Sequence, residues 1–213
     1  MTRTMTATLL LTCAATAPAA ETFQADVWVD NWFEMRVDGR QVAEDSVPIT
    51  TERSFNAESF SFEAERPFVI GLVAKDFIEN DTGLEYIGTR RQQMGDGGAI
   101  LQIRDAAGET VVVSDDGWSC LTIHTAPLDR ACVDEDAPMA GEGACTFTAV
   151  DEPMGWDHVG FDGADWPQAS VFSADDVSPK GGYDDITWDP AAQFIWGPDL
   201  KQSNTVLCRI TVE

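Results

Sequence analysis

The run Ala25-Asp-Val-Trp-Val-Asp-Asn-Trp-Phe-Glu-Met-Arg-Val-Asp38 alternates between apolar and polar residues, and this period of two restricts the chain more than any other feature does. Successive side chains of a strand point to opposite faces. Val27, Val29, Phe33, Met35 and Val37 are therefore expected on one buried face, and Asp38-Gly39 is expected to turn the chain. Phe60 and Phe62 alternate with serines in the same way, while Pro67 to Ala74 is apolar on both faces and suits a central strand. Ala99 to Arg104 and Glu109 to Ser114 flank an Asp105-Ala-Ala-Gly108 turn, and Leu121 to His124 and Thr205 to Val212 add further strands. Few segments hold apolar residues at i, i+3, i+4 and i+7 without a Gly, Pro or β-branched interruption, so an all-β sandwich or barrel is expected. Asp76 to Gly98, Thr125 to Asp151 and Ser173 to Pro190 are expected as long loops.

The first 19 residues combine a basic start, a short apolar centre and Ala17-Pro18-Ala19, which is the pattern of a secretory leader. Residues 20–213 are expected to form one domain, because the Gly/Pro-rich pieces are each bounded by strands. No apolar run approaches the roughly 20 residues of a membrane span. Export places the chain in the periplasm, on the cell surface or in the medium. Acylation of Cys13 is a weaker alternative, since Thr12 precedes it.

Beyond the leader lie Cys120, Cys132, Cys145 and Cys208, an even number that suits two disulfides in an oxidising compartment. Metal ligation is the competing reading, but no Cys-x-x-Cys spacing supports it. Three connectivities remain open; Cys132 and Cys145 bracket a loop-like segment, which would leave Cys120 and Cys208 to tie two strands.

Asp and Glu number 37 against 13 Lys and Arg, a formal charge of −24 that repels phosphate backbones. Nucleic acid is excluded as a partner, whereas a cationic protein partner or a set of cation sites is compatible with the charge.

Asp30 to Gly39, the Pro67 to Ala74 strand, the Asp105 to Gly108 hairpin and Trp118 after Asp115-Asp116-Gly117 follow one another along the chain. Phe161-Asp-Gly-Ala-Asp-Trp166, Ala192-Gln-Phe-Ile-Trp196 and Arg209 in the last strand come after them. This order of motifs resembles the galactose-binding-like β-sandwich, the jelly-roll accessory domain of rhamnosidase-type and β-galactosidase-type glycoside hydrolases. The resemblance spans almost all of residues 20–213 and implies a single antiparallel sandwich, core-anchoring roles for Trp118, Trp166 and Trp196, and structural calcium as a common feature. Asp38 stands where Asn is usual, Gly163 where a second Asp is common, and the Cys132 to Cys145 insertion has no counterpart. These departures bear on the ligand rather than on the fold.

Several side-chain sets are candidates for chemistry. Tyr86, Arg90, Arg91, Gln92, Gln93 and Asp96 concentrate forked donors and acceptors that suit vicinal hydroxyls or a carboxylate. Trp28 and Trp32, opposite the apolar face, offer a stacking platform unless a loop covers them. Tyr183 and Trp188, with Asp184 and Asp185, make a further aromatic pair in a loop. Asp76, Asn80, Asp81 and Glu85 supply oxygen ligands of the kind calcium prefers, without the EF-hand spacing.

Catalysis has little support. There is neither a Gly-x-Ser-x-Gly elbow nor His-Glu-x-x-His, and the two histidines, His124 and His158, fit structural positions. The expectation is a secreted, non-catalytic carbohydrate-binding protein, with an acidic protein-interaction module and a hydrolase of unrecognised site as alternatives.

Overall fold

The computed structural model describes residues 20–213, so the leader expected over residues 1–19 lies outside the described residues. The chain forms β1 (Glu21–Asp30), β2 (Trp32–Val37), β3 (Arg40–Glu44), β4 (Ala57–Ala64), β5 (Phe68–Lys75), β6 (Leu84–Glu85) and β7 (Gln93–Met94). It continues with β8 (Gly98–Asp105), β9 (Thr110–Val113), β10 (Ser119–Thr125), β11 (Thr148–Ala149), β12 (Ser170–Phe172), a single helical turn α1 (Ala174–Val177), β13 (Phe194–Trp196) and β14 (Ser203–Val212). Among the described residues no helix is long and apolar enough to cross a membrane.

Two six-stranded antiparallel sheets make a β-sandwich. One runs β12-β13-β8-β1-β4 with β9 beside β8, the other β11-β10-β14-β5-β2-β3, and β6 and β7 form a small separate ribbon. The alternating run that opens the chain is two strands rather than one. It leaves the first sheet at Asp30, where it pairs with Gly98, and enters the second at Trp32, opposite Lys75. The period of two survives the crossing, because the inner faces of both sheets meet in one core. Phe23, Val27 and Val29 from β1 and Phe33, Met35 and Val37 from β2 all lie in it.

Local chemistry explains the turns. Asp38 and Gly39 both take positive φ, 46° and 75°, and join β2 to β3 in the two-residue hairpin that matches strand twist. The Asp105 carboxylate accepts from the Ala107 and Glu109 amides and closes the β8–β9 turn, as the Asp-Ala-Ala-Gly sequence implies. β5 is buried from Phe68 to Ala74, between β14 and β2.

Both disulfides form. Cys120 and Cys208 face each other across β10 and β14, and Cys132–Cys145 closes the long loop between β10 and β11. Trp118 and Trp196 are fully buried in the main core. Trp166 departs from the core role expected of it: it is half-buried on the outer face of the second sheet, stacked on Trp156 at 5.9 Å. Arg209 in β14 fixes this outer layer by donating to the Trp156 carbonyl at 2.8 Å, with its guanidinium over Phe161.

Candidate functional site

The site lies at the end of the sandwich where the chain changes sheets. There the Asn31 amide donates to the Lys75 carbonyl at 2.8 Å, which brings the end of β1 against the end of β5. Asp30 and Asp76 are thereby delivered to the same place. Asp26, Trp28 and Asp30 share the outer face of β1, and the loop after α1 folds over it, held by the Trp28 indole donating to the Gly181 carbonyl at 2.9 Å. That bond sets Lys180 beside Asp30, at 3.7 Å.

The Asp76 to Gly98 loop closes the site from the other side. It is pinned to itself by Glu79, whose amide donates to the Leu84 carbonyl and whose carboxylate accepts from the Ile87 amide. The β6–β7 ribbon presents Glu85 and Gln93, joined by a 2.7 Å hydrogen bond from the amide to the carboxylate. Asp96 follows. Gly95 is needed between them, because a Cβ there would lie 1.6 Å from an Asp76 carboxylate oxygen.

These elements enclose a cleft of about 290 Å³. It is lined by buried Glu85, by half-buried Glu52, Phe55, Tyr86 and Asp96, and by exposed Arg53, Gln93 and Lys180. The Tyr86 hydroxyl donates to the Glu52 carboxylate, the Arg91 guanidinium lies 4.1 Å from the Tyr86 ring centre, and the Lys180 ammonium lies 5.5 Å from that of Phe55.

The electrostatics are lopsided. One oxygen each of Asp76, Glu85 and Asp96 fall within 4.8 Å of one another, and one ammonium, Lys180, donates to Asp96 at 2.9 Å. Both oxygens of Asp30, both of Asp76 and one of Glu85 are buried without a hydrogen-bond partner. Burial, aided by Asp96, pushes the Asp30 carboxyl up to about 7, and burial pushes Glu85 to about 7 as well. Asp76 is raised well above the carboxylate range by burial and by its acidic neighbours. Lys180 is held above its usual value: burial opposes its charge, but Asp30 and Asp96 outweigh that effect.

The residues singled out in the sequence distribute unevenly. Tyr86, Gln93 and Asp96 line the cleft, and Arg91 covers Tyr86 at its edge. Arg90 is exposed and faces a separate groove with Asp134 and Glu135, while Gln92 spends its amide on the Val133 and Glu135 carbonyls and ties the loop to the disulfide-closed segment. Trp28 is completely buried and packs edge-on against Tyr183 and Phe194. Trp32 sits in the other sheet under Lys75, so the two tryptophans share no open platform. Tyr183 stacks on Trp188 at 5.8 Å in a groove of its own. Asp76 and Glu85 converge, whereas Asn80 caps the Thr82 amide and exposed Asp81 lies 3.3 Å from His124. Asp30, Glu52, Arg53, Phe55 and Lys180 were missed. The Asp26-x-Trp28-x-Asp30 alternation carried a signal for Asp30, since it set a carboxylate at a strand end on a polar face; nothing local marked the others.

No protein-family description, no curated protein and no solved structure matches the chain.

Proposed function

We propose that the protein is an exported, non-catalytic carbohydrate-binding sandwich of the galactose-binding-like kind, and that the cleft between the Asp76 to Gly98 loop and the Lys180 loop takes the sugar. The observation that carries this reading is the make-up of the cleft lining. Two aromatic rings, Phe55 and Tyr86, stand beside carboxylate acceptors and the amide and cationic donors Gln93, Arg53 and Lys180. Sugar rings need both kinds of surface, apolar C–H faces for stacking and paired donors and acceptors for hydroxyls. At about 290 Å³ the cleft lies at the small end of ligand pockets, which run to about 1,000 Å³, and suits a sugar unit more than a long chain. Two disulfides fit the oxidising compartment that export implies.

A second reading follows from the charge of the same cleft. The five carboxylates of Asp30, Glu52, Asp76, Glu85 and Asp96, against the two cations Lys180 and Arg53, would also receive a cationic side chain of a protein partner.

A glycan array, followed by calorimetric titration of variants, separates the two readings. Tyr86→Ala and Gln93→Ala are expected to weaken the retained glycan tenfold or more, because each removes a partner from a desolvated site at about 1–3 kcal/mol. Arg91→Ala is expected to weaken it through loss of the Tyr86 stack, and Arg90→Ala to leave it unchanged. Binding of lysine-rich peptides with no glycan retained at any accessible concentration would replace the sugar reading with the protein-partner reading.

A further inference from the structure

We infer that Asp76, Glu85 and Asp96, with Asp30 beside them, form a binding site for a divalent cation, and that the ion is calcium. The three carboxylates present ligand oxygens within 4.8 Å of one another. Calcium holds oxygens at about 2.3–2.6 Å, so two on opposite sides of it stand about 4.6–5.2 Å apart. The cluster falls within that limit, and its number of carboxylates favours calcium, which takes about six to eight oxygens, over magnesium, which keeps several waters and uses one or two carboxylates. No His or Cys stands among these ligands, so the donor set is all oxygen and hard.

The independent observation is the state of the buried carboxylates. Asp30 is 0% exposed and Asp76 3%, and none of their four oxygens has a hydrogen-bond partner. Buried charge is normally paired, as it is in this protein at Asp26. Asp26, also buried on the outer face of β1, accepts from Ser59 at 2.6 Å and from Gln102 at 2.8 Å and bonds the Arg104 guanidinium. The Asp30–Asp76 end of the fold lacks such donors. Lys180 reaches Asp96 in hydrogen-bonding range but stands 3.7 Å from Asp30, so one ammonium leaves most of the negative charge unanswered. Gly95 leaves the Asp76 carboxylate room that any side chain would take. The site also explains how residues from β1, the β5 end and the β6–β8 loop stay in register: the ion would tie three separate segments. This assignment does not depend on a sugar occupying the cleft, and its test uses none.

The test is thermal unfolding and titration calorimetry of the metal-stripped protein with calcium chloride alone, at ionic strength held constant with sodium chloride. Constant ionic strength removes the general screening expected for a charge of −24. A rise in Tm of about 5–10 °C is expected at a calcium concentration about a hundred times Kd, together with a binding isotherm of one site. Asp96→Asn, which alters a partly exposed side chain, and Glu85→Gln, which keeps the shape of a buried one, should each weaken calcium tenfold or more. Asp76→Asn should abolish binding while leaving the metal-free protein folded, because the amide keeps the shape of the buried carboxyl and cannot take the charge that holds the ion. Unchanged Tm and no heat at ~10 mM calcium would overturn the assignment, as would calcium binding that persists undiminished in Asp96→Asn and Glu85→Gln, both folded by circular dichroism.

Discussion

Asp45 shows how this acidic chain stores proton sensitivity away from the cleft. Its amide donates to the Phe33 carbonyl and one carboxylate oxygen accepts from Val47, but the other is buried without a partner. Burial, with Glu58 nearby, raises its pKa to about 6. A carboxyl that titrates higher in the folded state than its unfolded value of about 3.9 stabilises the fold in its protonated form. That contribution is complete below about pH 4 and is lost as pH rises through about 6. Asp45→Asn keeps the bond to Val47 and removes the charge, so it should stabilise the protein at pH 7–8 by on the order of 2 kcal/mol and have little effect near pH 4. Urea denaturation at the two pH values checks this. An equal effect at both would mean that the Asp45 carboxylate is solvated.

Trp196 and Trp166 belong to different layers of the sandwich, and the layers predict different costs of removal. Trp196 in β13 is enclosed by the main core and donates its indole N–H to the Ser203 carbonyl at 2.7 Å. Trp166 only roofs the second sheet with Trp156 and Phe161. Trp196→Ala should cost about 3–5 kcal/mol, the usual loss for a large buried aromatic, and Trp166→Ala about 1–2 kcal/mol, because its site opens to water rather than to a cavity. Equilibrium unfolding of both variants decides the order; a larger loss for Trp166 would reverse the assignment of layers. The strands themselves were legible because alternation and turn chemistry agreed, as at Asp38-Gly39 and Asp105 to Gly108. The change of sheet at Asp30 was not, because Val27, Val29, Phe33 and Met35 keep one inward period whether the run is one strand or two. The β6–β7 ribbon was hidden for a simpler reason: a pair of residues per strand holds no period.

The whole molecule gathers the partnerless carboxylate oxygens of Asp30, Asp76 and Glu85 at one end of the sandwich. Two sheets, two disulfides and a common core hold the strand ends that deliver Asp30 and Asp76, while the Asp76 to Gly98 and Lys180 loops bring Glu85, Gln93, Asp96 and the ammonium to meet them. In the sequence, Tyr86 to Asp96 stood out by density of polar side chains, so half of the cleft was visible. The rest came from residues 30, 52, 53, 55 and 180, whose meeting depends on strand pairing and on the Trp28–Gly181 bond rather than on spacing. Asn80 and Asp81 show the converse, since closeness in sequence to Asp76 put them in a turn that faces elsewhere.

That the cleft is where ligand binds can be tested by amide chemical-shift mapping of the labelled protein titrated with the glycan retained on an array. Perturbations are expected to cluster at residues 52–56, 84–96 and 180–182, with the β8–β9 turn and the Cys132 to Cys145 loop silent. Shifts centred on the Tyr183–Trp188 groove or the Arg90 groove, with residues 84–86 and 93–96 unmoved, would contradict it.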